Sequence, residues 1–433
     1  MMTEIHSDID DFNTLLETLY SSAPKDPALE KLQANAWERF CELGLPTRKN
    51  EVFRYVKLRQ LYSQEYKNAS STDLEKNDVA PYIFAECQES ALVFINGHFM
   101  PKLSRLKALP EKMVVMGLGE AMRTYGALLT NHMTKAIKEE KDPFAVLNLA
   151  LHGEAAFLYL PPKTICAVPL QILHLVDDSN ESPFLAPRLQ LFASAFSEIE
   201  LISKHVVLST SKCCINQRID ISVEENAHVR YVQSNCHDSF NVWHFDALRA
   251  TLKKFSSLHG VNVSNGSGVV RNDFHVTLTG EGGEATLNGV WMLSGKREIH
   301  QHILIDHQAP NCLSRQLFKG VLKDTSHSSF EGKIMVRKEA QETNAFQLNH
   351  NLLLSDGAAA ESKPNLEIFA DNVKASHGAT IGQLEKEELF YMRSRGFSVL
   401  EAQKMLVHGF CQEVIDMIRQ PTVRLQLGSQ INE

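Results

Sequence analysis

The sequence predicts a mainly β protein whose strands coil into a solenoid, with helical regions before and after it. Three observations carry this. From about Ala155 to about Ile381 the 433-residue chain is a succession of short β-type runs broken by Gly, Asn, Asp and Ser. No long helical pattern interrupts the series between residues 260 and 380. The run starts at 274, 285, 299, 314, 329 and 345 are roughly 11 to 16 residues apart, which suits a coil with more than one strand per turn. A sandwich or a barrel would also solve the edge problem that so many strands pose, and no sharp repeat singles out the solenoid.

Each element has its own local reason. Asp26-Pro27 is a helix N-cap followed by proline, and Leu29, Leu32, Ala36, Phe40 and Leu43 continue near helical period. Gly44 is the natural C′ residue and 44–49 a loop. Residues 64–80 are polar and read as a linker or surface loop. A strand at 91–95 runs into Asn96-Gly97, a strong hairpin signal. Helical patterning returns over 117–152, where Asp142-Pro143 repeats the cap-then-proline start. The β runs follow at 157–160, 167–176, 199–208, 219–223, 228–233, 274–279, 285–293, 299–305, 315–322, 329–336, 345–354 and 366–370. In 271–279, Phe274, Val276 and Leu278 share one face, with Asp273, His275, Thr277 and Thr279 on the other. A helix at 385–395 ends near Gly396. Ser398 and Glu401 then form a capping box, and Leu406, Phe410, Val414 and Met417 make an apolar stripe that Pro421 closes. The chain thus divides into a helical and mixed region 1–154, a β core 155–382 and a C-terminal helical region 383–433.

Composition narrows the function. With 44 Lys and Arg against 52 Asp and Glu, the net charge of −8 argues against a general nucleic-acid binder, which needs a basic surface to displace counterions. No apolar run is long enough to span a membrane. The start, MMTEIHSDIDDF, is acidic and lacks an apolar stretch, so the expectation is a cytoplasmic protein without an export signal. The cysteines at 41, 87, 166, 213, 214, 236, 312 and 411 form no C-x-x-C pair, so neither a structural zinc site nor a disulfide framework is expected; they read as buried free thiols.

Catalytic motifs are missing. There is no Walker A loop, no G-x-S-x-G and no H-E-x-x-H, so the chain should hydrolyse no nucleotide by itself. The nearest metal constellation is His300-Gln301-His302 with Asp306 and His307. An H-x-H pair on a strand points both imidazoles to one side. It resembles the metal motif of cupins, although the expected Glu is missing, and it defines an alternative function: a cupin-like metal-dependent enzyme using His300, His302 and His307. The competing reading is a solvated strand face. A third, an adhesin-like or carbohydrate-binding solenoid, is disfavoured by the lack of an export signal.

The most informative stretch is 344–395. Asn351-Leu352-Leu353-Leu354, Lys363-Pro364 with Leu366-Glu367-Ile368, Asp371, Val373, Ser376-His377-Gly378-Ala379-Thr380, Leu389-Phe390-Tyr391 and Arg393-Ser394-Arg395-Gly396 together resemble the SufB/SufD family of iron–sulfur cluster assembly scaffolds, its SufD branch above all. Gly44-Leu45-Pro46-Thr47-Arg48-Lys49 with Glu51 and Tyr55 is similar to that family's N-terminal segment. The resemblance implies a right-handed parallel β-helix flanked by helical regions. It implies a non-catalytic scaffold subunit that pairs with a SufB-type paralogue through the β-helix and docks a SufC-type ATPase through C-terminal residues including Leu389, Phe390, Tyr391, Arg393, Leu406 and Phe410. Truncation after about Gly382 should then abolish ATPase docking and leave the β-helix folded. His377 matches the histidine that holds iron or a nascent cluster at the heterodimer interface; no cofactor is expected to bind tightly to the isolated chain. B-type chains carry a cysteine where this chain has Asn349 and a Glu where it has Ser376, and some D-type chains have a cysteine at Ala375. Lacking these ligands, this chain is not expected to build a cluster alone.

Overall fold

Amphipathic helices open the chain, and the strands after them stack in parallel. The computed structural model describes residues 2–23, 25–69, 74–153, 155–177, 182–208, 212–236 and 239–431, with side chains from residue 8 onward. Helix α1 spans Met2–Ser22 and α2 Glu30–Leu43. Helix α2 starts later than Pro27, because Asp26 Oδ1 accepts from Ala28 N at 2.8 Å and so caps a turn that leads into it. Gly44 ends it at φ 66°, its N–H donating to Phe40 O, an exit that costs glycine no Cβ clash. Helices α3 (Leu58–Tyr62) and α4 (Lys76–Val79) follow. The stretch read as a linker contributes α4 and strand β1 (Lys67–Asn68), while residues 70–73 of it lie outside the described residues. Strand β2 (Ala91–Ile95) turns through Asn96 at φ 51° and Gly97 at φ 83° into β3 (His98–Phe99), the hairpin that Asn-Gly favours. Strand β4 (Val114–Gly117) leads into α5 (Leu118–Glu139) and α6 (Pro143–Leu151). Asp142 caps α6, accepting from Phe144 N at 2.9 Å and Ala145 N at 3.1 Å, as the cap-then-proline pattern predicts.

The β core is a parallel solenoid of two sheets. Sheet A stacks β5 (Ala156–Leu160), β8 (Arg188–Ala193), β10 (Cys213–Val223), β12 (Val242–Leu252), β14 (Val269–Leu278), β16 (Glu298–His307), β18 (His327–Val336) and β20 (Ala359–Ile368). Sheet B stacks β6 (Leu170–Val176), β9 (Glu198–Val207), β11 (His228–Cys236), β13 (Ser257–Gly266), β15 (Glu284–Leu293), β17 (Leu313–Leu322), β19 (Thr343–Leu353) and β21 (Val373–Gly382). Short β7 (Pro183–Leu185) pairs with β1 and β10. One coil is two strands and about 29 residues: Val270 pairs with Ile299, and Ile299 with Ser328. The spacing visible in the sequence is therefore half a coil. Strands β8, β12, β13 and β21 lie where the sequence reading found none.

Inward side chains fill the solenoid. Phe274, Val276 and Leu278 sit in this core with Ile299, Ile303, Trp291, Phe318 and Phe330, confirming the alternation read at 271–279. A Cβ at Gly320 would meet Trp291 Nε1 at 2.4 Å, so only glycine lets that indole in. One side of the interior is polar: Asn262 donates to Gln233 Oε1 at 3.0 Å, and Asn272 and Gln301 donate to Asn262 Oδ1, each at 3.2 Å.

One left-handed corner recurs along seven successive coils. Lys163, Phe196, Asn226, Phe255, Gly282, Asn311 and Glu342 all have φ between 52° and 67°. From Lys163 to Asn311 each donates its N–H to the carbonyl of the residue just before the next corner, as Phe196 does to Glu225 and Asn226 to Lys254, and Glu342 donates to Asn372 of the last coil. This axial bond compensates the steric cost of a left-handed side-chain-bearing residue.

Helices cover both flanks. Outer side chains of sheet A, among them Phe157, Phe192, Trp243 and Phe245, pack against α1, α2, α5 and α6. The same interface carries buried ions. Glu140 accepts from Arg218 at 3.0 Å and from Arg249 at 2.8 Å, and Asp142 faces Arg271 at 2.7 Å. On sheet B, Val261, Val290 and Val321 pack against α8 (Val399–Ile415), which follows α7 (Lys386–Ser394). Ser398 and Glu401 make the expected capping box. The stripe is a different one: Ala402, Val407, Cys411, Val414 and Ile418 are buried, Leu406 and Phe410 half-buried, and Met417 exposed. Pro421 does not close the helical region but opens α9 (Pro421–Gln430). Removing everything after Gly382 would strip α8 from sheet B, so the expectation that such a truncation spares the β-helix does not fit this packing.

Candidate functional site

The solenoid ends abruptly. Strands β20 and β21 each pair on one side only, so among the described residues their outer edges carry no partner strand. His377 lies on β21, exposed and in register with Gln347. Gln347 is buried and donates to Gln316 at 3.0 Å, so His377 continues a column of interior-facing residues to the open end. Exposed apolar side chains stand at the same end of the solenoid: Phe346 and Leu348 on β19, on the opposite face of sheet B from His377, Ile381 on β21, and Phe369 just beyond β20. Asn349 is buried within the same coil, donating to Phe318 O at 3.2 Å and accepting from Asn351 at 2.8 Å. Ala375 packs in a small cluster with Ile334, Val336 and Ala345. The terminal coil thus offers an imidazole and no thiolate. Cys87, Cys213, Cys214, Cys312 and Cys411 are buried and Cys41 is exposed. Burial pushes the thiols of Cys87 and Cys213 up to about 12, which leaves them protonated.

The histidines of β16 do not converge as an enzyme site. His307 is fully buried and meets Ser314 Oγ at 2.9 Å, on the interior side of the strand. His300 and His302 point the other way, out of sheet A, as the H-x-H spacing predicts. That face is not solvated: the segment 51–57 lies over it. Even these two separate. His302 pairs with Asp273, whereas His300 bonds Ser329 Oγ at 2.8 Å and stands near Glu298 and His327. A glutamate does stand beside His300, at Glu298, two residues before it and not after the H-x-H pair. Burial lowers His300 below the ordinary imidazole range, so it is neutral at pH 7. The segment above also joins the two stretches that resembled one family, since Glu51 forms an ion pair with Lys363.

The C-terminal helices present a second surface. Helix α7 buries no residue; Phe390 is 72% and Tyr391 56% exposed, with Arg393 exposed and Leu389 half-buried beside them. Arg395 stacks 5.1 Å from the Tyr391 ring. Leu400 and Met405 extend the apolar patch onto α8. Phe410 turns instead to the solenoid, where Lys319 Nζ sits 4.6 Å over its ring and donates to its carbonyl at 3.0 Å. No described helix is long and apolar enough to cross a membrane.

The chain is similar to known proteins along nearly its whole length. Residues 175–410 match the family model of the SUF system FeS cluster assembly SufBD core domain, and residues 9–172 that of the SufBD protein N-terminal region. A Synechocystis protein, an iron–sulfur cluster assembly SufBD family protein, is 29% identical over 98% of this chain and 94% of its own. The iron–sulfur cluster assembly protein SufD of Escherichia coli is 26% identical over 92% of this chain and 90% of its own. Protein ABCI7, chloroplastic, of Arabidopsis thaliana is 26% identical over 96% of this chain and 88% of its own.

Proposed function

This chain belongs to the SufBD family of SUF-system iron–sulfur cluster assembly proteins, and from that premise we propose that it is a cytoplasmic, non-catalytic scaffold subunit of the SufD type. Its terminal coil pairs with a SufB-type paralogue, and α7 with the start of α8 docks a SufC-type ATPase that supplies the hydrolysis. His377 holds iron or a nascent cluster at the paralogue interface, and the missing thiolates are the partner's to provide. One observation carries this reading: an exposed imidazole stands on the last strand of the solenoid, whose outer edge is unpaired among the described residues, with exposed Phe346, Leu348, Phe369 and Ile381 in the same terminal coil. A neutral imidazole is a borderline ligand suited to iron. No motif for turnover appears, and the cupin-like alternative falls with the divergence of His300, His302 and His307.

The test is His377→Ala in the reconstituted complex. The variant should assemble with both partners as the wild type does, since an exposed side chain contributes little to folding. Its iron content and cluster yield should drop severalfold. Normal cluster maturation by the variant complex would remove the ligand role from His377.

A further inference from the structure

On the outer face of sheet A, Glu298 and His300 of β16 stand beside His327 of β18. One ligand atom from each lies within 4.8 Å of the other two. Glu298 Oε2, His300 Nε2 and His327 Nδ1 are buried and make no well-formed hydrogen bond, the first two facing only each other. Each residue is nevertheless fixed from its other side. Lys57 holds Glu298 Oε1, Ser329 Oγ meets His300 Nδ1 at 2.8 Å, and Glu361 holds His327 Nε2. An imidazole oriented through one nitrogen by a carboxylate or hydroxyl, with the other nitrogen unused, is how proteins present a metal ligand. Glu298 Oε2 and His300 Nε2 are 3.4 Å apart, long for a hydrogen bond involving a carboxylate. Two ligands about 2.0–2.1 Å from a tetrahedral ion stand roughly 3.3–3.4 Å apart.

We infer that Glu298, His300 and His327 form a site for a single divalent transition metal, with two imidazole nitrogens and one carboxylate oxygen as the protein ligands. This donor set suits zinc or ferrous iron and leaves a coordination position for water. Lys57 now neutralises Glu298; its side chain is 45% exposed and can yield to the ion by swinging into solvent. Glu361 adds a second negative charge behind His327. The neighbouring trio Asp273, His275 and His302 likewise offers one carboxylate and two imidazoles, but its carboxylate is already ion-paired with Arg249 and Arg271, so a cation gains little there; Arg271 also stands in register with His300, but its close ion pair is with Asp142 and not with Glu298. The site is distinct from His377, which lies on the other sheet, and does not depend on that residue's role.

The test uses the full chain, stripped with a chelator and titrated with Co(II). About one equivalent should bind with the visible absorption of a four-coordinate ion, and X-ray absorption of the zinc-loaded chain should require two imidazoles. His327→Ala and Glu298→Gln should each weaken Co(II) binding roughly tenfold or more, with circular dichroism unchanged. His377→Ala should leave it as in the wild type. The inference is overturned if the wild-type chain takes up no stoichiometric metal, if binding survives both substitutions, or if it follows His377 instead. Should the variants fail to fold, a zinc shell lacking imidazole in the wild-type chain would overturn it equally.

Discussion

Asp246 shows what the solenoid interior does to one ionisable group. It is 2% exposed on β12, in register with the interior Asn272, and its closest cationic candidate, His244, stands 3.9 Å away. Burial pushes its carboxyl up to about 8. The folded chain therefore keeps a proton that the unfolded chain releases above about pH 4. The sign follows: this group's contribution to stability is complete below about pH 4 and declines as pH rises towards 8. Asp246→Asn keeps the shape and removes the charge. It should raise stability by the order of a few kcal/mol at pH 8 and leave it unchanged near pH 4, as denaturant titrations at the two pH values would show. Equal effects at both would place the carboxyl in a wetter setting than the fold implies.

The elements meet through the junction between α5 and α6. Burial alone would raise Glu140, but Arg249 and Arg218 outweigh it and hold the carboxyl at about 2. Its stabilising contribution is thus present above about pH 4.5 and lost as pH falls towards 2. Glu140→Ala leaves two buried guanidinium groups without this partner and should cost about 3–5 kcal/mol at pH 7. That difference should shrink on acidification, measured by denaturant unfolding of both chains across the range. The same junction was legible beforehand, because Asp142-Pro143 is a purely local signal. The coil period was not. Its corner is occupied by Lys163, Phe196, Asn226, Phe255, Gly282, Asn311 and Glu342, which share a backbone conformation and no chemistry. Strand β12 is buried on nearly its whole length, between the core and the helices, so it shows no alternation to read. Strand β21 is rich in Gly, Ala and Ser and reads as a loop. Glu298 and His327 are adjacent only because they pair one coil apart; without the period they are two unrelated positions. His377 was legible through family resemblance alone, since nothing local marks an exposed histidine.

At the scale of the molecule, covering two flanks of a solenoid leaves its end free. The N-terminal helices bury the outside of sheet A, and α8 buries the outside of sheet B. Exposed apolar side chains are scattered along the coil corners, as at Ile165, Phe196 and Phe255, and two groups stand near the C-terminal end: Phe346, Leu348 and Ile381 at the last coil, and Phe390, Tyr391 and Leu400 on α7 and α8. Groups of exposed apolar side chains of this kind suit interaction surfaces. Under the proposed function each group serves one partner, which gives the proposal a double test. Leu348→Lys with Ile381→Lys places charge on the unpaired end and should abolish pairing with the paralogue while the ATPase subunit is still retained. Phe390→Ala with Leu400→Ala should do the reverse. Loss of an exposed aromatic anchor at a docking centre costs about 2 kcal/mol or more, roughly thirtyfold in affinity, whereas surface changes alter folding by only about 0.5 kcal/mol. Co-purification of each variant with both partners reads the two surfaces separately. If either pair of substitutions releases both partners at once, the patches form one interface, and the last coil and the helices act as a single docking unit.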